Sequence, residues 1–281
     1  MRTPAQNAEL ALLLEVAGTP KPGNVDRHRD FPDLRFEHFL AGAVGASEGL
    51  GAAAAGTPVG EAFETAVAGM ADQRGGNTQF GALLLLVPLV RAAGEGDLSP
   101  DGVASVVEST TVADAAGFYR AFDHVDVFVD DPPADAGDLD ARRGSDAIPA
   151  VEERGLTLAD LMAMSAPEDD NAVEWTNGFP RTFAVADQIA GGDGPVLDRI
   201  ADAFLTQQAD YPDSLVAKQH GSAVAEEVAS RAAELRDGGA ETAAIDAFGD
   251  DLVDRGLNPG TTADIVAAGT FVALERDEVV V

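Results

Sequence analysis

Residues 19–30 read Thr-Pro-Lys-Pro-Gly-Asn-Val-Asp-Arg-His-Arg-Asp and concentrate side chains that can do chemistry. Two prolines stiffen the run, and Gly23 permits a turn or the close approach of a ligand. Lys21 and Arg27 suit phosphate oxygens. Asn24 and His28 offer hydrogen bonds. Asp26 and Asp30, four residues apart, suit Mg2+, which takes oxygen ligands and shares them with substrate phosphates. An ordinary interhelix loop in an acidic protein can carry the same residues, but cations are scarce in this chain. Aspartate and glutamate total 49 against 18 lysine plus arginine, and of those 18 only Lys21 and Lys218 are lysine. A compact ammonium on a flexible stem suits one phosphate or carboxylate oxygen, a task that arginine performs differently.

Three other segments carry chemical potential. Arg74-Gly-Gly-Asn-Thr-Gln79 precedes a very apolar stretch, so Asn77 and Thr78 stand where a helix N-terminus could receive an anion, or where they would simply cap it. The Gly-Lys-Ser/Thr signature of a Walker loop is missing. Asp213-Ser-Leu-Val-Ala-Lys-Gln-His-Gly221 holds the second lysine; if helical, it does not place Asp213 and Lys218 on one face. Asn258-Pro-Gly-Thr-Thr-Ala-Asp264 reads as a turn, a Thr cap and an Asp in the first turn of a helix, where the dipole favours it in any case. A smaller constellation joins Asp170, Asn171, Glu174 and the single tryptophan, Trp175, which is better suited to a core than to stacking on a base.

The elements that must position these residues are helices. Thr3-Pro4 opens one that stops at Gly18. Further helices are expected over 35–55, from Pro58 to about 73, over 77–93 (apolar nearly all round and therefore central), from Ser99-Pro100, and over 112–122. The pattern resumes near 157–166, 169–190 with a break at Pro180, 194–209, 222–236, 241–255 and 261–275. The alternation in 124–130 suggests one short strand, and 131–146 reads as an exposed acidic loop. The expectation is an all-α fold, residues 1–281 as one domain, with an irregular excursion at about 124–155.

A net charge of −31 spread along the whole chain repels nucleic acid and anionic membranes, and fits a surface adapted to high salt. Apolar residues make up 46%, enough for a sizeable core and too many for a disordered acidic chain. With no cysteine, disulfides, thiolate nucleophiles and Cys-ligated metals are excluded. The longest apolar stretch, 82–90, is too short to span a bilayer. A cytoplasmic location is expected, and self-association is open.

The ordered triple Pro-Lys-Pro-Gly-Asn-Val-Asp, Gly-Asn-Thr and Asn-Pro-Gly-Thr-Thr-Ala-Asp resembles the triphosphoribosyl-dephospho-CoA synthase family. Its segments typically read Pro-Lys-Pro-Gly-Leu-Val-Asp, Asn-Thr-His-Lys-Gly and Ser-Pro-Gly-Gly-Ser-Ala-Asp. The resemblance runs from about Leu10 to Phe271. It implies a transferase that joins ATP to 3′-dephospho-CoA: a ribose hydroxyl of the acceptor attacks C1″ of the ATP ribose, adenine leaves and the triphosphate stays attached. An oxocarbenium-like transition state is implied. The resemblance makes Lys21, Gly23, Asn24, Asn77, Thr78 and Lys218 ligand-binding candidates. Asp26, His28 and Asp264 are the acid–base candidates, and Asp26 with Asp30 the Mg2+ candidates. The chain departs from the pattern at Gln79 and Phe80, where the family has His and Lys, and at 28–33, so it resembles a divergent, archaeal-type branch whose acceptor is dephospho-CoA or a related molecule. Two other readings compete, a non-catalytic helical module that binds a nucleotide or serves structurally, and a hydrolase that splits the N-glycosidic bond with water.

Overall fold

The computed structural model describes residues 2–132, 136–279 and 281, and among these the protein is all-α. In chain order the helices are α1 (Pro4–Ala17), α2 (Phe36–Gly45), α3 (Ser47–Ala54), α4 (Val59–Met70), α5 (Phe80–Glu95), α6 (Pro100–Glu108), α7 (Val112–Ala121), α8 (Ile148–Arg154), α9 (Leu158–Ser165), α10 (Asp170–Asn177), α11 (Pro180–Gly191), α12 (Val196–Asp210), α13 (Ser214–His220), α14 (Ser222–Asp237), α15 (Thr242–Asp254) and α16 (Gly260–Glu275).

Local chemistry explains many boundaries. Thr3 and Gln6 form a capping box with Pro4 in the first turn, and Thr111 and Thr157 do the same with Asp114 and Asp160. The expected helix over 35–55 is two helices that meet at Ala46. The break lets α2 and α3 both press on α4. At the closest point a Cβ on Gly45 would lie 2.1 Å from the carbonyl oxygen of Gly69, so only glycine permits this approach. The expected strand is absent. Residues 125–130 form no regular secondary structure and have no neighbouring strand among the described residues, Val125 buried and Phe128 half exposed. Alternation alone makes no sheet when there is no partner to take the backbone hydrogen bonds. The acidic excursion contains 3₁₀ turns at Gly137–Leu139 and Ala141–Ala147 and the short α8; residues 133–135 of it lie outside the described residues.

Two helices that are apolar nearly all round occupy the centre. α5 packs on α3, α4 and α16; α16 packs on α1, α5, α11 and α12. Trp175 belongs to this core: it is 2% exposed and its indole N–H donates to the Leu84 carbonyl at 3.1 Å. A smaller apolar cluster ties α14 and α15 to Leu205, Val216 and Leu257. Among the described residues no helix is long and apolar enough to cross a membrane.

Candidate active site

The loop after α1 is locked from inside. Lys21 is fully buried, with Nζ 2.5 Å from Glu15 Oε1 in the last turn of α1 and 3.0 Å from Asn24 Oδ1. The Phe204 ring lies under the same ammonium at 5.6 Å. Burial pushes the Glu15 carboxyl up, and the Lys21 charge pulls it back. Lys21 therefore braces the loop and does not stand open to phosphate, contrary to its expected role. Asp26 is also fully buried. It accepts from Thr19 Oγ1 (2.9 Å), the Lys21 N–H (3.2 Å), the His28 N–H (2.8 Å) and the Arg29 guanidinium (3.4 Å). Asp30 stands at the surface and accepts from the Phe36 N–H at the start of α2. The two carboxylates thus have separate hydrogen-bonding duties. Among the described residues no group of three or more His, Asp or Glu side chains is placed to hold a metal ion. His28 is exposed.

Specific bonds staple the loop to the Asn258 segment and to α12. Asn24 Nδ2 donates to Asn258 Oδ1 at 2.9 Å, and Gln208 Nε2 to the Pro22 carbonyl at 3.0 Å. Gly23 adopts φ 79°, and a Cβ there would meet the Leu257 carbonyl oxygen at 2.7 Å. Both the dihedral and the space demand glycine.

Asp264 lies where these segments meet. The helix begins at Gly260, so Asp264 is its fifth residue and not in the first turn as the sequence suggested. It accepts a hydrogen bond from Asn171 Nδ2 at 2.9 Å. Gly81, in the first turn of α5, faces the pair: a Cβ there would fall 2.0 Å from Asp264 Oδ2 and 2.6 Å from Asn171 Nδ2. Burial and the like charges of Asp213, Glu15 and Asp169 push the Asp264 carboxyl up to about 8, against the pull of Asn171. A carboxyl group poised near neutral pH is the kind that proton-transfer catalysis uses.

Helix caps hold the other side. Asp213, 3% exposed, joins two helix starts: Oδ1 accepts from the Leu215 and Val216 N–H groups of α13, and Oδ2 from the backbone and hydroxyl of Thr262 in α16. Burial raises its pKa against the hydrogen bonds from Thr262 and Val216. Asp169 caps α10 and pairs with Lys218 Nζ at 2.5 Å, so the second lysine faces a carboxylate from another helix. Arg181 stacks over Tyr211 at 4.0 Å, donates to Gln207 and pairs with Asp170 at 2.9 Å. Asn77 Oδ1 caps the Phe80 N–H at 3.1 Å, while Thr78 Oγ1 and both polar atoms of Gln79 are buried without partners. Phe80 is 5% exposed in an aromatic knot with Phe63, Phe118 and Phe122, so position 80 serves the core.

The structure therefore brings together Lys21, Gly23, Asn24, Asp264, Lys218 and their partners, with Asn77 and Thr78 leading into the α5 turn beside Asp264. It sets His28 and Asp30 apart at the surface. Sequence reasoning did not single out Glu15, Gly81 or Arg181. Glu15 leaves a trace, an acidic residue in the run of buried positions Ala8, Ala11, Leu12 and Val16.

The family model for CitG, ATP:dephospho-CoA triphosphoribosyl transferase, matches residues 1–280. The chain belongs to this family. It is thus a triphosphoribosyl transferase-type enzyme, and the family's substrates are ATP and dephospho-CoA. A crystal structure from Archaeoglobus fulgidus, of a protein assigned as a triphosphoribosyl-dephospho-CoA synthase, is similar with a TM-score of 0.67 and 24% identity. The match covers 84% of this chain and 97% of that one, and it shows a shared fold. No curated protein matches the chain.

Proposed function

We propose that this transferase carries out the full reaction of its family, moving the triphosphoribosyl group of ATP to a ribose hydroxyl of 3′-dephospho-CoA with release of adenine. The observation that carries this reading is Asp264: a carboxyl group with its pKa raised to about 8, at the meeting point of the segments that suggested the family. In this reading Asp264 is the general base. The acceptor O–H bond breaks and its proton passes to Asp264. The new C1″–O bond forms, and the C1″–N9 bond breaks with its electron pair leaving on adenine, which takes a proton from water. Preorganised donors and a well-placed base lower the barrier of such glycosyl transfers.

Mg2+ in this reading arrives on the triphosphate rather than on Asp26 and Asp30. Of the two lysines, Lys218 is the more accessible, although it is paired with Asp169, since Lys21 is internal. Residues 1–281 act as one domain, because both the central core and the α14–α15 cluster contribute walls or supports to the site. The net charge of −31 suits a salt-rich cytoplasm.

The test is adenine release from ATP and Mg2+ in molar KCl, with and without dephospho-CoA. Release that needs dephospho-CoA supports the proposal, and chelation of Mg2+ should abolish it. Release without acceptor would mean a hydrolase. Nucleotide binding with no release in either case would mean a binding module.

A further inference from the structure

Asn171 divides its amide between two tasks. The residue is 7% exposed. Its Nδ2 donates to Asp264 Oδ2 at 2.9 Å, and its Oδ1 is buried with no partner. In the ionised form that a base must have, Asp264 can only accept, so the Asn171 nitrogen faces it and the carbonyl faces away. The backbone is equally fixed, since the Asn171 N–H donates to the cap residue Asp169 at 2.9 Å. A buried acceptor without a donor is unfavourable unless a ligand supplies one.

The surroundings say what kind of donor fits. Asp264 is flanked by Glu15 from α1, Asp213 at the start of α13 and Asp169 at the start of α10. The two nearby ammonium groups are engaged, Lys21 with Glu15 and Lys218 with Asp169. Gly81 closes the remaining flank without contributing a side chain. The groups around Asp264 thus present acceptors and negative charge, which suits an uncharged hydroxyl and repels a phosphate.

We infer that Asn171 reads the second hydroxyl of the acceptor's ribose diol: one hydroxyl gives its proton to Asp264, and its neighbour donates to Asn171 Oδ1. This rests on the assignment of Asp264 as base. It makes Asn171 a specificity-determining residue. A phosphate on the second hydroxyl would remove the donor and set an anion among carboxylates, so the same contact excludes CoA in favour of its dephospho form.

The experiment is calorimetric titration of the full chain in molar KCl with dephospho-CoA, its 2′-deoxy and 3′-deoxy analogues, and CoA. Wild type and Asn171→Ala are compared. Wild type should bind dephospho-CoA about tenfold more tightly than either deoxy analogue, the effect of one buried hydrogen bond. In Asn171→Ala the preference over one of the two analogues should vanish while the other persists. An Asn171→Ala variant that keeps the full wild-type preference, or a wild type that ignores the diol, overturns the inference. Binding is measured without turnover, so a diol preference with no adenine release would sink only the proposed reaction.

Discussion

An ammonium buried against a carboxylate leaves a stranded charge when either partner is removed, which gives Lys21 a testable signature. Lys21→Met should cost about 3–5 kcal/mol of stability because Glu15 remains buried and unpaired. Adding Glu15→Gln should recover a large part of that loss. Guanidinium unfolding checks both variants. A Lys21→Met protein that unfolds like wild type while its KM for ATP rises would make Lys21 a phosphate ligand instead. The scarcity of lysine made Lys21 legible as important in the sequence. Its direction was not legible, because the same residue type serves an open phosphate site or an internal brace, and only the position of Glu15 one turn below decides. Asp26 misleads in the same way: a carboxylate in a polar loop suggests metal, yet four donors around it make it the organiser of that loop.

Helices bring the site together by their ends. The first turns of α5, α10 and α16 and the start of α13 converge, and Asp213 caps two of them at once. Gly81 marks how close α5 comes. Gly81→Ala would improve helix propensity by about 1 kcal/mol, but its Cβ would fall 2.0 Å from Asp264 Oδ2. The expected outcome is a near-unchanged melting temperature with kcat lowered about a hundredfold, the effect of a misplaced catalytic group. Unchanged kcat would mean that Asp264 is not held against α5 during the reaction. Most helices were readable because Thr, Ser and Pro mark their starts and Pro180 marks the break between α10 and α11. The α2–α3 junction carries no such mark; it arises from packing on α4. The helix α13 is short, and its cap residue belongs equally to α16, a relation visible only in three dimensions. The alternating 124–130 segment failed as a strand because a strand is defined by its partner.

Charge acts on the molecule as a whole. Most arginines are tied to carboxylates, as in Arg255 with Glu227 and Asp251 or Arg236 with Asp210 and Asp237. A large excess of negative charge remains, and self-repulsion opposes the compact state. Raising KCl from about 0.1 M to about 1 M shortens the screening length from about 10 Å to about 3 Å. The melting temperature should therefore climb steeply over that range, and scanning calorimetry reads it directly. A melting temperature indifferent to salt would leave the acidic surface without this physical role. The all-α class was legible at this scale from periodicity alone, while the convergence of segments more than 200 residues apart, such as Asn24 with Asn258, was not.

The measurement that bears most directly on the account is the pH dependence of adenine release by wild type and Asp264→Asn, with dephospho-CoA present and absent. The account predicts acceptor-dependent release that falls about tenfold per pH unit below about 8, where Asp264 gains its proton. It predicts a loss of at least about a hundredfold in Asp264→Asn. The sign for stability is opposite. Burying the charged form is unfavourable, so relative to Asp264→Asn the wild type should lose stability as pH rises from 3.8 towards about 8. An Asp264→Asn enzyme with the wild-type rate and pH profile would contradict the assignment of Asp264 as the base.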